Sequence, residues 1–106
     1  MSRGGRSPKR KGTQWERDVV ALLQSFGIAG ARRVPLSGAI KSSFSFDHDV
    51  TCPVRGTDRR LECKRRGRAF VTIDTMLGNH FALVCRDDRS RPLVVMCLED
   101  WVELAK

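Results

Sequence analysis

Twelve residues separate Asp49 from the tripeptide Glu62-Cys63-Lys64. Two carboxylates with a lysine beside them make a set able to work on a phosphodiester. Hard divalent cations such as Mg²⁺ take oxygen ligands. Held there, such an ion polarises a phosphoryl oxygen and lowers the pKa of its bound water. The lysine positions or deprotonates that water, or stabilises the charge that develops on the phosphate. Asp47 shares the polar parity of Asp49 and could replace it as ligand or pair with Lys64.

The segments around these residues explain how they could meet. From Phe44 the residues alternate: Phe44, Phe46, His48, Val50 and Cys52 fall on one face, and Ser45, Asp47, Asp49 and Thr51 on the other. Turn chemistry over 53–58 separates this strand from a second one over about 59–65. There Leu61 and Cys63 oppose Arg60, Glu62 and Lys64 in facing. Two strands joined by a short turn pair antiparallel, and the face pattern selects a register with Val50 opposite Leu61 and Asp49 opposite Glu62. Directly opposed Cβ atoms lie roughly 5 Å apart, and like charges so placed destabilise a sheet unless something neutralises them. A slip by one residue would bury the charges, whereas a slip by two would bring in Asp47.

The remaining elements frame this strand pair. Trp15, Val19, Leu22, Leu23 and Phe26 form an apolar stripe, predicting a helix over 14–26 with Thr13 as N-cap and Gly27 as stop. Glu16 edges that stripe. It fits both a T-x-x-E capping box begun by Thr13 and a carboxylate aimed towards a site. Residues 31–36 suggest a short strand limited by Pro35, and residues 37–45 a Gly/Ser-rich loop. A short helix is expected at TIDTML, ended by Gly78. The apolar runs 81–85 and 93–98 read as central strands covered on both faces, and 99–105 as a closing helix. The order α-β-β-β-(α)-β-β-α predicts an α/β fold, a mixed β-sheet flanked by helices.

The totals agree with one small domain over 14–106 preceded by a disordered basic arm over 1–13 that carries Arg3, Arg6, Lys9, Arg10 and Lys11. With 20 lysines and arginines against 12 acids, the formal charge is +8, which points to a polyanionic partner. The run Arg59, Arg60, Lys64, Arg65, Arg66 and Arg68 lies beside the proposed site, where its density favours phosphate contacts. Cys52, Cys63, Cys85 and Cys97 show no C-x-x-C spacing, so buried thiols in a reducing, cytoplasmic compartment are expected. His48 reads as a core histidine, and His80 has no evident partner. Trp15 and Trp101 sit at core spacing. No apolar run reaches the ~20 residues of a membrane span, and the first residues lack the apolar stretch of a secretory signal.

Asp49 followed by Glu62-Cys63-Lys64 resembles the D…ExK signature of the PD-(D/E)xK, or restriction-endonuclease-like, nucleases. Lys11-Gly12-Thr13 with Glu16-Arg17 is similar to the opening of the archaeal-type Holliday junction resolvases. Arg32-Arg33-Val34-Pro35-Leu36-Ser37-Gly38 resembles their arginine-containing strand and serine loop. The likeness runs over residues 11–68. It implies a restriction-endonuclease-like fold and a homodimeric, Mg²⁺-dependent endonuclease acting on branched DNA, with Mn²⁺ as a substitute metal. By position it implies a catalytic set of Lys64, Glu62, Asp49, Ser37 and Glu16, of which Asp49, Glu62 and Glu16 hold the metal. It further implies a DNA-contacting or catalytic arginine at Arg32 or Arg33; with these, Lys11, Arg17, Arg65, Arg66 and Arg68 are the expected DNA contacts. The chain departs from the pattern in the longer stretch between Ser37 and Asp49, and in His48 where a proline is usual. Two other readings stand beside it: a nuclease of the same fold acting on duplex DNA in restriction or repair, and a non-catalytic basic nucleic-acid-binding module.

Overall fold

The computed structural model describes residues 8–34 and 49–106, with side chains from Gly12 onward in the first stretch. Expectations for Arg3, Arg6, the 37–45 loop with Ser37, and Phe44, Phe46, Asp47 and His48 lie outside the described residues. So do the side chains of Lys9, Arg10 and Lys11. The elements are α1 (Pro8–Ser25), β1 (Arg32–Arg33), β2 (Val50–Val54), β3 (Thr57–Leu61), α2 (Val71–Leu77), β4 (Leu83–Cys85), β5 (Leu93–Val95) and α3 (Leu98–Ala105). Their order matches the order expected from sequence, and the class is α/β. The described strands pair antiparallel in two small sheets, β1-β2-β3 and β4-β5, in place of the single mixed sheet expected.

The chain divides into two compact units, one reaching to Arg65 and including Lys106, the other Arg66–Ala105. In the first, α1 begins at Pro8, so residues 8–13, expected to lie in a disordered arm, are helical. Proline suits a first helical turn, where its missing N–H would have had no partner. Thr13 is therefore inside the helix and cannot cap it, which overturns the capping box. The C-terminus closes at Ser25 as a Schellman motif. Gly27, at φ 116°, donates to Gln24 O at 3.0 Å, and Ile28 N–H donates to Leu23 O at 2.9 Å. Leu23 and Ile28 supply the apolar contact of that motif and are both buried, as is Val19 one turn earlier.

β2 is the middle strand. Val50 pairs with Leu61, Thr51 with Arg60 and Cys52 with Arg59, which is the register selected by the face pattern. On its other side Thr51 pairs with Arg32 and Val50 with Arg33. The turn is tighter than the 53–58 expected. Arg55 (φ 50°) and Gly56 (φ 89°) alone connect the strands, the two positive angles that a type I′ hairpin requires. Pro53 lies within the central strand, where it cannot donate to β1. It is tolerated because β1 has already ended, and Gly30 passes so close that a Cβ there would come within 2.8 Å of Pro53 Cγ.

In the second unit, β4 and β5 pair Val84 with Val94, flanked by Leu83–Val95 and Cys85–Leu93. These runs were expected to be covered on both faces. Instead Val84 is 74% exposed and Val94 62%. Each strand is only three residues long and pairs with the other, so the ladder offers no interior position of the kind a wide sheet gives. Leu77, Val102 and Ala105 are buried. Among the described residues no helix is long and apolar enough to cross a membrane.

Candidate nuclease site at the base of the first hairpin

At the end of the hairpin away from its turn, the ladder changes count. Asp49 N–H donates to Leu61 O at 3.0 Å, although Leu61 is the partner of Val50. Two residues of one strand thus face one of the other, the arrangement of a β-bulge, which re-aims a side chain. Asp49 is not set squarely opposite Glu62, as an unbroken ladder would have it. Its backbone is held from both sides, since Val34 N–H donates to Asp49 O at 3.1 Å. Its carboxylate Oδ2 accepts the Cys63 amide at 2.7 Å. Asp49 is therefore fastened to the middle residue of Glu62-Cys63-Lys64, and Val34 ties the base of the hairpin to the β1 end.

The flanking residues pair with each other. Lys64 Nζ lies 2.8 Å from Glu62 Oε2, both side chains being about half exposed. Glu16 comes to the same neighbourhood from α1. It is mostly buried, and its Oε1 accepts from Arg33 Nη2 at 3.3 Å and Nε at 3.4 Å. Arg33 shares the parity of Val50, its strand partner, and so reaches α1. Arg32 takes the opposite parity and pairs with Asp58 at 2.7 Å.

The Cys63 thiol registers the field of the whole group. It is pushed up from the usual 9.0 to about 11, first by burial, then by the charges of Asp49, Glu16 and Glu62. Desolvation and negative neighbours both disfavour a thiolate. Three carboxylates, from α1, from the residue before β2 and from the residue after β3, thus act on one sulfur. Among the described residues no group of three His, Cys, Asp and Glu side chains stands arranged as a ready metal cage. A Mg²⁺ ion keeps several of its waters and needs only one or two protein carboxylates. Asp49, Glu62 and Glu16 are oxygen donors of the kind such an ion takes, and two of them are paired with cations, Glu16 with Arg33 and Glu62 with Lys64.

The expected DNA-contacting residues are distributed as follows. Arg17 is exposed on α1, and Arg65, Arg66 and Arg68 are exposed directly after Lys64 in the chain. Arg32 is exposed and paired with Asp58, whereas Arg33 is half-buried on Glu16. Lys11 belongs to α1, and Ser37 lies outside the described residues. Sequence reasoning missed the Glu16–Arg33 pair and the Asp49–Cys63 tie. Neither leaves a local signal, because each joins residues distant in the chain and depends on where a bulge falls. The cysteines are free as expected, but only Cys52 is buried; Cys63 and Cys85 are half-buried and Cys97 is exposed. Cys63 and Cys97 fall just beyond the ends of β3 and β5, and Cys85 ends the three-residue β4, so the strands give them less cover than expected. His80, without an evident partner in sequence, has its Nδ1 3.0 Å from Leu77 O. Comparison with protein-family models, with curated proteins and with solved structures gave no match.

Proposed function

We propose that the chain is a Mg²⁺-dependent, structure-specific DNA endonuclease of restriction-endonuclease-like fold, cutting Holliday junctions or other branched DNA by phosphodiester hydrolysis. One observation carries the reading. The Asp49 carboxylate is bonded at 2.7 Å to the amide of the residue between Glu62 and Lys64. That bond draws the two halves of the sequence motif together at one end of a sheet, where chemistry needs them adjacent.

When bound, Mg²⁺ would supply Lewis-acid polarisation of the phosphoryl oxygen and a more acidic water. Asp49, Glu62 and Glu16 would hold it. Lys64, 2.8 Å from Glu62, would orient the attacking water or receive the charge developing on the phosphate. The exposed Arg17 and Arg65 of the first unit supply phosphate contacts that position the backbone without reading sequence, in keeping with a chain of charge +8; Arg66 and Arg68, which begin the second unit, are further exposed cations. A homodimer would present two such sites to the two symmetry-related strands of a junction.

The test is cleavage of a labelled four-way junction, a linear duplex and a single strand, each in Mg²⁺ and in EDTA. Paired nicks on the junction, abolished by EDTA, are expected. Cutting of linear duplex would transfer the reading to a restriction or repair nuclease. Metal-independent binding with no cutting of any substrate would leave a basic nucleic-acid-binding module.

A further inference from the structure

The two units divide the charge of the chain unequally. The first holds 15 of the 20 lysines and arginines against six acids, the second five against six. Apolar exposure is divided the other way. Of the nine large apolar side chains exposed among the described residues, all but Leu22 belong to the second unit. The most exposed are Val84 at 74% and Val94 at 62%, and they are direct partners in the β4-β5 ladder. Partnered residues share a face of a sheet, with Cβ atoms roughly 5 Å apart. Leu83 and Val95, the adjacent pair, take the opposite face and are half-buried. One face of this hairpin is therefore packed at that pair, while the other is bare and apolar at Val84 and Val94. The connecting loop carries Arg86, Asp87, Asp88, Arg89 and Arg91, all exposed. A contiguous apolar surface rimmed by polar residues marks an interaction site.

We propose that the face bearing Val84 and Val94 is where two copies of the chain meet about a two-fold axis. The division of charge favours a second copy as the occupant. Two first units would oppose each other with nine net positive charges apiece, whereas two second units meet with one net negative charge apiece. That slight acidic excess also disfavours phosphates and anionic lipid at this face. A two-fold contact is self-complementary, with residue i meeting j while j meets i. A loop of three arginines and two aspartates can then set an arginine of one copy against an aspartate of the other. The area is of the right size. A fully buried Val, Leu, Met or Phe side chain removes roughly 60–120 Å² from water. Eight of them at about half exposure offer on the order of 400 Å² per copy. A standard interface uses roughly 800 Å² per partner, about 60% of it apolar. The supply matches the need with nothing spare, so the dimer is reversible, with a Kd in the micromolar range. This inference goes beyond the nuclease reading: it gives a surface to the homodimer invoked there, and it holds whether or not the chain cuts DNA.

Sedimentation velocity of the full chain, freed of nucleic acid, from about 1 to about 300 µM brackets such a Kd. A monomer–dimer equilibrium little changed by added salt is expected, since screening acts on charges and the contact is mainly apolar. Val84→Glu and Val94→Glu bring like charges to the axis and should each raise the Kd about tenfold or more. Should either fail to fold by circular dichroism, Val84→Thr keeps the β-branched shape and should weaken the dimer in the same direction. Leu22→Gln alters the exposed apolar residue of the first unit and should leave the Kd unchanged. A monomer at every concentration would overturn the proposal, as would a dimer that the Val84 and Val94 variants retain or that Leu22→Gln weakens equally. Binding of a monomeric chain to phosphatidylcholine vesicles, abolished by Val84→Glu, would overturn it in favour of a lipid surface. A dimer that fails to cut a junction leaves this interface standing and sinks the nuclease reading; a monomer that cuts does the reverse.

Discussion

The Asp49 carboxylate accepts the Cys63 amide at 2.7 Å, joining residues fourteen apart across the open end of a hairpin. The bond does structural and electrostatic work together, and the two separate by substitution. Asn keeps an oxygen acceptor and loses the charge, whereas Ala loses both. A hydrogen bond to a charged group contributes about 1.5–3 kcal/mol. Asp49→Ala should therefore lower unfolding free energy by about 2 kcal/mol, and Asp49→Asn by clearly less. Both should lose metal-dependent cutting. Urea melts beside a junction-cleavage assay check this; an Asp49→Asn variant that cuts normally would remove Asp49 from the site and bring Asp47 forward.

Glu62 and Lys64 predict the opposite balance. Their pair is half exposed, and exposed ion pairs contribute about 0–1 kcal/mol. Glu62→Gln and Lys64→Ala should melt within about 1 kcal/mol of the native chain, bind a junction in a gel-shift assay, and fail to cut it. A loss of folding comparable to the loss of cutting would reduce the pair to a structural feature.

What was legible in the sequence is what side-chain periodicity records. Alternation around Val50 and Leu61 yielded the strand register, because a one-residue slip would have exposed Val50 and Cys52, both fully buried. The stripe through Val19 and Leu23 yielded α1, and Gly27 its end. Periodicity is silent on where a ladder slips, so the bulge at Asp49 went unseen, along with the turn of its carboxylate towards Cys63. It is equally silent on cover: 81–85 and 93–98 are apolar throughout, yet Val84 and Val94 are exposed. The start of α1 was misjudged because residues 8–13 have no apolar stripe, and a helix whose faces are all polar leaves no period to read.

Arg55 offers a test of the turn. It adopts φ 50°, and a left-handed backbone costs an ordinary side chain about 1 kcal/mol, whereas Asn adopts it readily. The contact that would be lost is weak, an exposed bond from Arg55 Nη1 to Lys106 O at 3.5 Å. Arg55→Asn should raise the unfolding free energy by about 0.5–1 kcal/mol and leave cutting unchanged, read from denaturant midpoints at constant slope.

Cys63 turns the carboxylate field into a pH dependence. Its thiol titrates near 11 in the folded protein against the usual 9.0, so the folded chain keeps a proton that the unfolded chain releases between those values. Unfolding then releases a proton in that window, and stability falls as pH rises through it. Below pH 9 the contribution is fully present. Lysines titrate over the same range, so the comparison is with Cys63→Ser, which should show a shallower decline from pH 9 to 11. Because the thiolate is the nucleophile, Cys63 should also alkylate more slowly at pH 8.5 than the exposed Cys97, followed by peptide mass. Asp49→Asn and Glu62→Gln should each quicken it by removing a negative neighbour. Were neither substitution to change the rate, the three carboxylates would not share the surroundings of Cys63, and the site would lose its electrostatic basis.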